Sequence, residues 1–67
     1  MNAFCRNATD SQLQNILLDE ARRFARFNGE GDVAESAKEL YFAAREECAR
    51  RGMDADAILY DASVKPL

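Results

Sequence analysis

Residues 28–36 read NGEGDVAES, and the fold turns on what this stretch is. Gly29, Gly31 and Ala34 fall in the order G-x-G-x-x-A, the spacing of a dinucleotide-binding turn. Such a turn needs a β-strand leading into it and a helix N-terminus free to receive a pyrophosphate. The preceding DEARRFARFN, residues 19–28, is instead an arginine-rich amphipathic pattern poor in β-branched residues. Glu30 and Asp32 also set carboxylates where the phosphates must sit, with no basic residue in the loop to offset them. The stretch therefore reads as a corner between two helices, with Gly29 as a left-handed C-cap and Asp32 as the next N-cap.

Working outward from that corner, helical periodicity runs in both directions. Upstream, Thr9 and Gln12 have capping-box spacing, and Leu13, Ile16, Leu17, Ala21, Phe24 and Phe27 recur along one side, predicting a helix over 10–28. Downstream, Asp32 and Glu35 open a second pattern carried by Val33, Ala37, Leu40, Tyr41, Ala44 and Cys48, which ends in two arginines before Gly52 and predicts a helix over 33–51. Asp54 caps a short third helix over 54–62, with Met53 and Ile58 spaced as a hydrophobic staple. Residues 1–9 read as a flexible arm and 63–67 as a frayed tail. The expected architecture is a single all-α domain, an antiparallel two-helix hairpin plus a short third helix, dimerising into a small bundle.

Composition narrows the chemistry. A chain of 67 residues buries only about 60% of the surface its unfolded form exposes, so its core alone is marginal. Net charge is −3 and histidine is absent, which removes the usual general base and the commonest metal ligand. The acidic balance argues against general affinity for nucleic acid or anionic membrane, both of which call for a clustered basic footprint. No apolar run approaches the roughly 20 residues that span a bilayer.

Cys5 and Cys48 have no C-x-x-C spacing and no neighbouring ligand pair for zinc. The N-terminal stretch lacks a basic region followed by an apolar one, so the chain is expected to be cytoplasmic, with both thiols free. Asn7-Ala8-Thr9 is then a chance glycosylation sequon. Asp54, Asp56 and Asp61 lack the loop pattern of a calcium-binding hand and read as helix-start carboxylates. No metal and no cofactor is expected.

A helix-turn-helix reading fits poorly, because aligning Gly29 with the turn glycine puts Asn28, Glu30 and Glu35 where apolar contacts are needed. Arg22, Arg23 and Arg26 lie late in the first long helix, and Arg45, Arg50 and Arg51 late in the second. Helix dipoles and pairs such as Asp19 with Arg23, Glu46 with Arg50 and Glu47 with Arg51 account for them.

Two surfaces remain. Projected at about 100° per residue, the apolar arc of the first helix spans roughly 200°, more than one neighbour covers. Glu20 falls inside it and needs an arginine partner or a place at the rim. Either the short third helix packs on the second flank, or Leu13, Ile16, Leu18, Glu20 and Phe27 form a homodimer seam, which so small a chain favours slightly. On the second helix, Phe42 projects opposite the core side, in a stripe with Asp32, Glu35, Glu39 and Glu46. Such a residue is either an incidental exposed phenylalanine, one covered by the N-terminal arm through Phe4, or, ringed as it is by carboxylates, an interface anchor for a basic protein surface.

Three function classes follow. The expected one is a small non-catalytic module that binds and blocks or bridges a larger protein partner, as an inhibitor or adaptor. Small acidic proteins of mobile genetic elements, including inhibitors of host defence such as anti-CRISPR proteins, share this size and charge, though no residue pattern ties the chain to them. The alternative is a dimeric DNA-binding transcriptional regulator, whose binding must weaken steeply with salt. An enzyme would have to rely on Cys5 or Cys48, without a histidine to activate either.

Overall fold

The computed structural model describes residues 3–67. These form four helices, α1 (Ala3–Asn7), α2 (Asp10–Arg26), α3 (Gly31–Arg50) and α4 (Ala55–Asp61), with no strand among the described residues. The capping box at the start of α2 is complete: Thr9 Oγ1 accepts from the Gln12 N–H at 3.1 Å, and Gln12 Oε1 accepts from the Thr9 N–H at 2.8 Å. Two donors with no intrahelical partner are satisfied this way. At α4, the Asp54 carboxylate accepts from the Ala57 N–H at 3.1 Å, and Met53 and Ile58 both pack against the core.

The helix ends share one device. After α2, the Gly29 N–H reaches back to the Phe24 carbonyl and the Asn28 N–H to that of Ala25. After α3, Met53 bonds to Cys48 and Gly52 to Ala49, and after α4 Val64 bonds to Leu59 and Ser63 to Tyr60. These are Schellman closures, which need a left-handed residue just beyond the cap. Asn28, Gly52 and Ser63 supply it, with φ of 54°, 75° and 57°. The helices consequently stop one or two residues before the ends that periodicity predicts, leaving Phe27, Arg51 and Ala62 as C-caps.

The corner at 28–31 differs in detail from its expected form. Asn28 takes the position expected for Gly29, which follows it with φ of 72°. The N-cap of α3 is Glu30, with no side-chain cap bond, and Asp32 lies inside the first turn. There its carboxylate still meets the positive end of the helix dipole.

α2 and α3 form the most extensive helix pair, and α4 packs mainly on α2. The core stripe of α3 is Ala34, Ala37, Tyr41, Ala44 and Cys48, all buried, in alternating steps of three and four. That is the spacing by which ridges of one helix sit in grooves of its neighbour. Val33, expected inside, is 45% exposed, and Leu40 is half-buried. Alanine carries little apolar area, so a period weighted by hydrophobicity passes over it in favour of valine.

Both ends of the described span hold structure beyond the helices that periodicity predicts. The arm contains α1, whose Cys5 is buried in the core; its first two residues lie outside the described span. The tail turns back through Val64, which packs on the core, and the Leu67 N–H donates to the Tyr41 hydroxyl at 3.3 Å.

Arg51 ties α1 into place. Its Nη2 donates to the carbonyls of Cys5, Arg6 and Ala8 at 3.2, 3.1 and 2.7 Å, its Nη1 to Asp10 Oδ1 at 2.8 Å, and its Nε to Glu47 Oε2 at 2.7 Å. Glu47, buried, also accepts from Arg50. Hydrogen bonds from Arg50 first and then Arg51 hold its carboxyl down to about 2, well below its ordinary 4.5.

Two predictions follow from these contacts. A Cβ at Gly29 would meet the Phe24 ring at 2.9 Å on a left-handed backbone, so Gly29→Ala should cost about 1–2 kcal/mol in urea unfolding; an unchanged midpoint would mean that the corner bears no strain. Because the Glu47 pKa is depressed on folding, its contribution is complete above pH 4.5 and is lost as pH falls toward 2. Thermal melts should therefore drop across that window, and Glu47→Gln should flatten that limb.

Candidate functional site

The outer face of α3 is built by periodicity. With Ala34, Ala37, Tyr41, Ala44 and Cys48 turned inward, 3.6 residues per turn leaves Asp32, Glu35, Glu39, Phe42 and Glu46 on the opposite side, and all five are exposed. Phe42 is 45% exposed. Its ring meets that of Tyr41 edge-on, with centroids 5.1 Å apart and planes at 83°. Tyr41 is itself fixed, fully buried with Arg45 Nη1 donating to its hydroxyl at 3.2 Å. The exposed aromatic thus stands on a rigid base.

The charges are unevenly shared. Arg22 pairs with Asp19 at 3.6 Å, Arg23 with Glu20 at 3.6 Å, Arg45 with Asp56 at 2.9 Å, and Arg51 with Asp10 and Glu47. Arg50 turns to Glu47, and Arg22 takes Asp19 where Arg23 was expected. Among the described residues, none of Asp32, Glu35, Glu39 and Glu46 has a cation within ion-pair distance. The arginines neutralise carboxylates on other faces and leave this one acidic. The same pairing occupies five of the side chains that a DNA-binding reading would need.

The residues expected at a dimer seam separate into groups. Leu13 is fully enclosed within the chain, as is most of Glu20. Ile16 and Leu18 are half-buried against the core, and Phe27 is 43% exposed. Ile16 and Phe27 share one flank of α2, whereas Leu18 falls on the opposite one by helical projection. Packing of α3 and α4 covers much of the wide apolar arc.

One feature had no sequence signal. Phe4, Asn7, Ala8, Gln12, Asn15 and Ile16 line an open groove of about 530 Å³ between α1 and α2. Five residues are too few to show a helical period, so neither α1 nor its groove was legible.

No group of three or more histidine, cysteine or acidic side chains among the described residues is placed to hold a metal ion, and no described helix is long and apolar enough to cross a membrane. Cys5 and Cys48 are both buried and are not joined in a disulfide. Burial is the main cause that pushes both thiols above their ordinary pKa, which disfavours the thiolate that nucleophilic chemistry requires. Family models, curated proteins and solved structures were all compared with the chain, and none matches it.

The enclosed thiols give a direct test of the core. In the native protein at pH 8, an aromatic disulfide reagent should label Cys5 and Cys48 about 100-fold more slowly than in urea, because reaction waits on opening. Rapid stoichiometric labelling of the native chain would show the thiols to be accessible.

Proposed function

We propose that this chain is a small non-catalytic interaction module that presses the outer face of α3 onto a basic surface of a larger protein and so blocks or bridges it. The observation that carries the reading is the exposed Phe42 among four carboxylates that have no ion-pair partner among the described residues. A central aromatic contributes desolvation and packing, while the surrounding charges steer encounter and reject wrong partners. Because Phe42 rests on the buried Tyr41 ring, little side-chain freedom is lost on docking. The buried thiols and the lack of histidine support the non-catalytic part of the reading.

Two structural elements complete it. α2 and α3 act as an antiparallel hairpin that keeps the working face straight, and the flank of α2 bearing Ile16 and Phe27 is left for self-association into a homodimer. The two surfaces lie on different helices, so a dimer presents two copies of the acidic face.

Affinity capture from extract of the cells that express the protein tests the α3 surface. The wild-type chain should retain a partner at low salt and release it as salt rises, whereas Phe42→Ala and Glu39→Lys should each lose it by about tenfold or more in affinity. Equal retention by both variants would remove α3 as the working surface.

A further inference from the structure

Along one flank of α2 and its C-cap, Ile16, Glu20, Arg23 and Phe27 follow one another in steps of four, three and four. The order is apolar, acidic, basic, apolar. Reversed end for end, this stripe complements itself: Ile16 falls opposite Phe27, and Glu20 opposite Arg23. A two-fold axis between Glu20 and Arg23 therefore satisfies all four positions at once, as an isologous contact requires.

Two observations in the structure say what the stripe receives. Glu20 has a side chain only 9% exposed, yet among the described residues it takes no hydrogen bond, Arg23 approaching it at 3.6 Å, beyond hydrogen-bonding distance. No enclosed side-chain oxygen among the described residues lacks a hydrogen bond, so the Glu20 oxygens still reach the surface, where a loosely paired carboxylate gains from a second cation. Ile16 is also a wall of the groove that Phe4, Ala8 and Asn15 complete, and Phe27 is the exposed aromatic at the other end of the same flank.

We infer that two copies of the chain pair through antiparallel α2 helices, with Phe27 of each seated in the α1–α2 groove of the other and Arg23 of each reaching the other's Glu20. This register rests on the homodimer in the reading above and goes further by assigning the groove its occupant. It also gives α1 a task, since Phe4 and Ala8 form a groove wall only while α1 stays docked.

Sedimentation equilibrium of the reduced full chain at micromolar concentration, with helix content followed by circular dichroism, tests it. The wild type should have twice the 7.5 kDa chain mass. Phe27→Glu and Ile16→Lys should each halve it. The double variant Ile16→Lys/Phe27→Glu should return it to twice the chain mass, because the new charges face each other in this register and in no parallel one. Asn15→Lys, an exposed substitution on the same groove wall, replaces Ile16→Lys in the series if the latter loses helix content. A wild-type mass of one chain overturns the dimer and the register together. A dimer indifferent to Phe27→Glu overturns the groove contact alone, and single variants that dissociate without rescue in the double overturn the antiparallel pairing.

Discussion

Arg51 sits one residue past the last turn of α3 and holds three segments together with one guanidinium. A five-residue helix such as α1 has too few internal hydrogen bonds to persist alone, and its last carbonyls have no intrahelical donors. Arg51 supplies those donors at Cys5, Arg6 and Ala8, and Asp10 and Glu47 fix the planar fork that supplies them. Placement of Cys5 in the core depends on this clamp, as does the wall of the α1–α2 groove. Lysine, a point charge on a flexible stem, has neither the donor number nor the planarity for the same geometry.

Arg45 plays a smaller version of the same part at the other end of the core. It pairs with Asp56 of α4, donates to the Tyr41 hydroxyl, and lies 5.9 Å from the Tyr41 ring centroid. Tyr41 accepts a second bond from the returning tail. A buried phenol oxygen that accepts from two separate elements ties them together, whereas one left without any partner would cost stability. The small chain thus supplements a marginal apolar core with polar ties between elements distant in sequence.

Much of the fold was legible in short-range chemistry. Thr9 with Gln12, Asp54, and the runs of 3.6-residue periodicity are local signals, and the two long helices and the short last one follow from them. Long-range features were not legible. Nothing in AFCRN announces a helix, since α1 exists because Arg51, 46 residues along from Cys5, caps it. Periodicity favoured Val33 over Ala34 for the core because it weighs hydrophobicity, and alanine carries little apolar area. For the acidic face, the exposed position of Phe42 was readable from projection, but the absence of arginine partners was not. Spacing alone offers Arg50 to Glu46, and only the enclosed Glu47 explains where it goes.

The clamp also sets an order of events in folding. α2 and α3 are adjacent in sequence and joined by the brief connection 27–30, so their pairing closes a small loop at little entropic cost and is expected early. Docking of α1 must bring Cys5 to Arg51 across most of the chain, and its acceptor geometry requires the end of α3 to be formed already. α1 is therefore expected to dock after α2 and α3 have paired. Until it does, the core lacks Cys5, and the carbonyl oxygens of Cys5, Arg6 and Ala8 are left to water rather than to one guanidinium.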